Sequence, residues 1–333
     1  MNDDQIFSGT YGSESWIAWS GIRAATIMER FRRLFQKRGR SITLAALTLA
    51  ILPISALAAN RGEARALQSK IMGRSVHYSV LLPPSYDADA KRRYPVLYYL
   101  HGLGDNDQSL LTWGGWDLLE QLQEKKQVVD FIVVAPDGGH SFYVNAKDGR
   151  ERYEDFFIQE FIPAIEQRYR TMGTRKARAI TGISMGGYGA LRFAFRYPKQ
   201  FGSVSAHMAV LAEDLPDGLK SAFGQNLSAF GKPFDAQFWK RNTPFTLLRE
   251  SPGLNGLKIY FDCGQQDDYG FAAGTQELHD LLKKHGVPHE YHLYPGRHSS
   301  EYVAAHLADS LRFHSRAFAP SDQKTAAPIR QTK

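Results

Sequence analysis

The most constraining feature of the chain is Gly182-Ile183-Ser184-Met185-Gly186-Gly187, which lies where a strand-like run passes into a helix-like one. A Gly-x-Ser-x-Gly turn in that setting is a nucleophile elbow. The serine sits in a tight, strained turn, and side chains two residues to either side would collide with neighbouring backbone. Gly182 and Gly186 remove those side chains, and the Ser184 hydroxyl is then presented above the carboxyl ends of the strands at a helix N-terminus. The alternative is an ordinary glycine-rich turn with an incidental serine, and the rest of the chain argues against it.

Strands and helices alternate around this turn. Residues 76–82 (VHYSVLL), 94–100 (YPVLYYL), 131–135 (FIVVA), 177–183, 257–263 (LKIYFDC) and 290–294 (EYHLY) read as strands. Residues 153–169, with Phe156, Phe157, Phe161, Ile162 and Ile165 at helical spacing, read as a helix, as do 187–197, 271–285 and 301–318. Such alternation predicts an α/β fold with a mostly parallel central sheet and helices on both faces. Residues 208–256 fit the alternation poorly and are expected to form an irregular, cap-like insertion. The polar tail 319–333 is expected to fray.

A serine hydroxyl needs a general base, usually histidine, oriented by a carboxylate. In this architecture the chain order is serine, acid, histidine. The strand at 257–263 leads into Gly264-Gln265-Gln266-Asp267-Asp268, and the strand at 290–294 leads into Pro295-Gly296-Arg297-His298. Of the eleven histidines, His298 alone sits on the right loop; His292 is within a strand, and His279, His285, His306 and His314 are on helices. Asp262 is within a strand and reads as structural. Spacing alone does not choose between Asp267 and Asp268. Donors for the oxyanion are the backbone N–H of Met185 and, on the His101-Gly102-Leu103-Gly104 loop, that of Leu103. His101 reads as a brace for this loop. Trp113 and Trp116 are candidates for the acyl pocket, with core packing as the alternative. This chemistry calls for no metal and no cofactor.

The N-terminal sixty residues follow other rules. Residues 41–60 (SITLAALTLAILPISALAAN) carry no charge and follow Arg30, Arg32, Arg33, Lys37, Arg38 and Arg40. A basic flank, an apolar run and the small-x-small Ala56-Leu57-Ala58 predict an export signal over residues 1–59, cleaved at Ala58 or Ala59. An uncleaved membrane anchor is the alternative, weakened by Pro53. Met28 is the expected initiator, because Met1 would give an unusually long basic region. Arg32 to Lys37 resembles a twin-arginine motif, with an ordinary secretory signal as the alternative. Either route predicts a periplasmic or secreted protein without stable membrane insertion after cleavage.

Charge then loses its meaning as a partner signal. The formal charge of the whole chain is +7, but residues 60–333 hold 34 basic and 30 acidic side chains. No dense Lys/Arg stripe and no nucleic-acid-reading motif remains. The lone Cys263 excludes an intrachain disulfide framework and reads as packing.

The segments LYYLHGLGDN, VVAPDGGHSFYVN, GISMGGYGALRFAFRYP, FDCGQQDD and YPGRH, spread over about residues 75–317, resemble the esterase D family of α/β-hydrolases. That group includes tributyrin-type esterases, S-formylglutathione hydrolases, feruloyl and acetyl-xylan esterases and mycolyltransferases. The resemblance implies an α/β-hydrolase domain over residues 60–318, with Ser184 as nucleophile, His298 as base, Asp267 as orienting acid, and Leu103 and Met185 at the oxyanion. It also implies that the loop with Ser141, Tyr143 and Asn145 borders the substrate pocket. The expected activity is hydrolysis of short-chain acyl or carbohydrate esters. An acyltransferase of the mycolyltransferase type, passing the acyl group to a sugar hydroxyl, is the alternative, and a non-catalytic secreted binding protein a third. The oligomeric state is left open.

Overall fold

The computed structural model describes residues 62–251 and 253–319. The expected export segment, Met28, the paired arginines and all of the tail but Ala319 lie outside the described residues. Among the described residues no helix is long and apolar enough to cross a membrane.

The scaffold is one eight-stranded sheet. In chain order its strands are β1 (Gly62–Gln68), β2 (Ser75–Leu81), β3 (Val96–Leu100), β4 (Ile132–Pro136), β5 (Arg178–Ile183), β6 (Ser203–His207), β7 (Lys258–Gly264) and β8 (Glu290–Tyr294). Their spatial order is β1-β2-β4-β3-β5-β6-β7-β8. β1–β2 and β2–β4 are antiparallel, and every pairing from β4 to β8 is parallel. Strands β3 to β6 are buried along their whole length, as expected where helices cover both faces. The main helices are α1 (Gly115–Glu124), α2 (Ile162–Arg168), α3 (Met185–Arg196), α4 (Asp217–Phe223), α5 (Ala236–Asn242), α6 (Pro244–Glu250), α7 (Phe271–Lys284) and α8 (Ser300–Phe318).

Several elements depart from the sequence reading. β6 was not anticipated, because Ser203-Val204-Ser205-Ala206-His207 reads as polar. Its polar residues are satisfied by α8: His314 bonds Ser203 Oγ and Ser205 Oγ, each at 2.8 Å, and His207 bonds Ser310 Oγ at 2.7 Å. All five side chains are buried, so the strand exists as such only with its partner helix in place. β1 was missed too. Its residues are mostly exposed, and antiparallel pairing to β2, rather than burial, defines it.

The helix expected over 153–169 is instead helical at Tyr153–Asp155, widens into a π turn at Phe156–Phe161 and resumes as α2. The insertion 208–256 is more regular than expected. It holds α4, a 3₁₀ run at Gly224–Phe230, α5 and α6, each no longer than seven residues and too short to show a period. Local caps set the last two helices: Asp235 accepts the Phe238 N–H, and Thr243 accepts that of Thr246 ahead of Pro244. An aromatic cluster anchors the insertion. Trp239 stacks on Tyr188 of α3 with centroids 5.4 Å apart and meets Phe230 edge-on at 4.8 Å.

Candidate active site

β5 ends at Ile183, and α3 begins at Met185, leaving Ser184 alone to make the turn. Its backbone takes φ 55° and ψ −115°, a conformation that side-chain-bearing residues rarely adopt and that must be enforced from outside. The glycines on either side permit it. A Cβ on Gly182 would lie 2.2 Å from the Gly186 carbonyl oxygen, and one on Gly186 would lie 2.0 Å from that of Leu100. Backbone bonds hold the turn from the next strand: the Ser184 N–H donates to the His207 carbonyl at 2.9 Å, and the Val210 N–H donates to the Ser184 carbonyl at 3.2 Å.

His298 reaches the elbow from the loop after β8. Its Nε2 lies 3.0 Å from Ser184 Oγ and its Nδ1 lies 2.7 Å from Asp267 Oδ2. An ionised carboxylate can only accept, so Nδ1 carries the proton and Nε2 is left to accept from the serine hydroxyl. The Asp267 side chain is fully buried and that of His298 is partly exposed toward the cavity. Burial acts to raise the Asp267 carboxyl, but His298 and the N–H groups of Phe271 and Tyr269 outweigh it and hold the group below the ordinary aspartate value. Tyr269 meets the imidazole edge-on, at 4.9 Å and 88°.

Asp268 takes a different position. It pairs with Arg297 and accepts the backbone N–H of His298 at 3.2 Å, so it ties the two loops together without touching the imidazole. The neighbouring Cys263 is buried and places Sγ 3.6 Å from Asp267 Oδ2. Burial and the adjacent carboxylate push its thiol up, which keeps it protonated and able to donate to Asp267.

Ser184 and His298 open onto a cavity of about 280 Å³. Its walls include Leu103, Asp105, Trp113, Phe223 and Tyr269. Leu103 thus lines the same cavity as the serine, from the loop after β3. Met185 occupies the first position of α3, where the backbone N–H has no partner within the helix and lies at the positive end of its dipole.

The remaining pocket candidates lie elsewhere. Trp116 is buried with its ring against Gly62, as core packing. Tyr143, on the loop expected to border the pocket, is instead fully buried, and its hydroxyl donates to the His101 carbonyl at 3.0 Å. Ser141 closes its own turn through a 2.7 Å bond to the Gly138 carbonyl, and Asn145 Oδ1 accepts the Asp155 N–H at 3.1 Å. These three polar residues build the loop from inside. His101 does likewise: its Nε2 accepts the Gly138 N–H at 2.8 Å and its Nδ1 donates to the Gly102 carbonyl at 2.7 Å. Sequence reasoning missed Asp105, Phe223 and Tyr269. Asp105 and Tyr269 stand within two residues of motif positions, at Leu103 and Asp267, whereas Phe223 comes from the insertion and carried no signal.

Comparison with known proteins identifies the family. The family model described as "Putative esterase" matches residues 69–314. The chain is 31% identical over 258 residues to Esterase Rv1288 of Mycobacterium tuberculosis, a match covering 69% of this chain and 54% of that protein. It therefore spans about half the length of that relative. It is 27% identical over 267 residues to the S-formylglutathione hydrolase of Paracoccus denitrificans, covering 74% of this chain and 90% of that one. Among solved structures, a ferulic acid esterase superposes with a TM-score of 0.68 at 27% identity, over 78% of this chain and 98% of its own. With three quarters of its length matched by the family model and an eight-stranded, mostly parallel sheet carrying a serine elbow, this chain belongs to that esterase family of α/β-hydrolases.

Proposed function

We propose that the protein hydrolyses carboxylic esters through a covalent acyl-enzyme on Ser184, with His298 as general base and Asp267 as its orienting acid. The observation that carries this reading is the unbroken relay from Ser184 Oγ through His298 to Asp267, at 3.0 and 2.7 Å, opening on a cavity.

Ser184 Oγ attacks the ester carbonyl carbon as its proton passes to His298 Nε2. Asp267 stabilises the imidazolium that forms, without taking its proton. The carbonyl oxygen becomes an oxyanion, received by the N–H groups of Met185 and Leu103, each donor of this kind being worth roughly 10²–10³ in rate. The intermediate collapses, the C–O bond to the alcohol breaks, and His298 returns the proton to the leaving oxygen. Water then attacks the acyl-serine with His298 again as base, releasing the acid and restoring the serine. The substrates are short-chain acyl or carbohydrate esters, which suits the modest cavity. The basic-flanked apolar run before residue 60 supports action outside the cytoplasm.

Hydrolysis of 4-nitrophenyl acetate tests the mechanism. Ser184→Ala is expected to lower kcat by at least about 10⁴-fold with an unchanged circular-dichroism spectrum. A fluorophosphonate probe should label Ser184 in the native enzyme, located by peptide mass spectrometry. Activity surviving in Ser184→Ala would overturn the assignment. Cell fractionation with an antibody to the C-terminal domain tests export.

A further inference from the structure

We infer that the Asp105 carboxylate makes this cavity select against esters that carry negative charge, favouring neutral and cationic ones. The inference rests on the hydrolase reading above and concerns the substrate class of the same site.

Asp105 lines the cavity together with Ser184 and His298, and none of the residues lining it is lysine or arginine. The carboxylate stands close to the reacting atoms. A Cβ placed on Gly102 would be 3.4 Å from Asp105 Oδ2 and 3.7 Å from Ser184 Cβ, so little more than the width of that glycine separates the two side chains. Among the described residues no lysine or arginine pairs with Asp105. The nearby His101 is held by other partners: its Nε2 accepts the Gly138 N–H at 2.8 Å and stands 3.4 Å from Asp137 Oδ1, and its Nδ1 lies 2.7 Å from the Gly102 carbonyl oxygen. Burial pushes the Asp105 carboxyl up from the ordinary aspartate value and outweighs the opposing effect of His101.

A charge in a concave, partly dry wall acts on a bound ligand more strongly than one on an open surface. The oxyanion formed during acylation has its own donors at Met185 and Leu103. Among the lining side chains Asp105 is the one carboxylate that a further negative group on the substrate would meet, with His298, Tyr269, Ser299 and Ser300 among the other polar groups there. A glutathione thioester carries two carboxylates and one ammonium, is a net anion, and falls on the rejected side. The cavity therefore differs in charge preference from what the name of the Paracoccus relative requires.

The test compares matched esters at pH 8 in low salt. Phenyl acetate, 4-acetoxybenzoate and 4-(trimethylammonio)phenyl acetate vary the charge of the para substituent on the alcohol side. 4-Nitrophenyl hexanoate and mono-4-nitrophenyl adipate vary the charge on the acyl side. Within each set, the ratio of variant to native kcat/KM cancels intrinsic ester reactivity. Asp105→Asn is expected to raise the anionic-to-neutral ratio of kcat/KM about tenfold on at least one side and to lower the cationic-to-neutral ratio severalfold. Salt at 0.5 M should compress the native preference but leave Asp105→Asn unmoved. Asp105→Ser serves as a second neutral variant and should reproduce the ratios even if its overall rate differs. Ratios unchanged within twofold on both sides, in both variants, would overturn the inference while leaving the hydrolase reading intact. Hydrolysis of none of the five esters by the native enzyme would instead remove the hydrolase reading itself.

Discussion

His207 holds Ser184 through the backbone, accepting its N–H at 2.9 Å, while the His207 imidazole is locked by Asp262 in the core beneath. Asp262 also accepts from Tyr260 Oη at 2.8 Å and Tyr302 Oη at 3.1 Å, and His207 Nε2 lies 2.7 Å from Ser310 Oγ. Strands β6 and β7, the elbow and α8 thus meet at one buried, hydrogen-bonded carboxylate. Such a group is costly only when a partner is missing.

Asp262→Ala should therefore destabilise the fold by at least about 3 kcal/mol, because it leaves three buried donors without an acceptor. Tyr302→Phe removes one donor and should cost about 1 kcal/mol. Urea unfolding followed by tryptophan fluorescence measures both, and near-equal losses would mean that the carboxylate is not the hub.

The two adjacent carboxylates of the acid loop should behave differently. Asp267→Asn is expected to lower kcat about 10⁴-fold, since it disrupts the tautomer and orientation of His298. Asp268→Asn weakens a partly exposed tie to Arg297 and should cost less than about tenfold. Steady-state kinetics on 4-nitrophenyl acetate decide the matter, and the reverse order would assign the acid to Asp268.

Gly182→Ala and Gly186→Ala each add a methyl group where backbone oxygen already stands at about 2 Å. Neither neighbour is a flexible side chain that could swing away. Each substitution should cost at least about 3 kcal/mol, above the ordinary range for overpacking. Thermal unfolding of the purified variants, or failure to recover folded protein, reads this out; a Tm within 2 °C of the native value would contradict it.

His314 makes stability depend on pH. Burial, and then the nearby His207 and Arg316, lower its pKa to about 3. In the unfolded chain the group titrates at about 6.5. Between these values the unfolded state binds the proton and the folded state does not, so this residue's contribution favours unfolding progressively as pH falls below about 6.5, by up to about 1.4 kcal/mol per pH unit. Above pH 6.5 it adds no slope. His314→Gln keeps hydrogen-bonding capacity toward Ser203 and Ser205 but cannot titrate. Its unfolding free energy should fall less steeply than the native one between pH 6.5 and 4. Parallel curves would show that another group carries the slope.

The sequence by itself determined the α/β alternation, the elbow at Ser184, and the two loops that carry the carboxylates and His298. Each has a local signature: strand and helix periods lie in consecutive residues, and Gly182 is required by its approach to Gly186 within the turn, although Gly186 is required by the backbone of Leu100 on β3. Tertiary structure decided what depends on partners distant in the chain. Asp267 and Asp268 are equivalent in spacing, and only the approach of the β8 loop sets one against the imidazole and the other against Arg297 and the His298 backbone. β6 reads as polar until α8 supplies His314 and Ser310 to satisfy it. Tyr143 looked like a pocket residue and proved to be a buried prop, because its direction follows from a loop that folds back on His101. Phe223 reaches the cavity from an insertion whose helices are too short to announce themselves. A periodicity or a turn motif is written in neighbouring residues, whereas a hydrogen-bond partner some thirty to a hundred residues away is chosen only when the chain closes on itself.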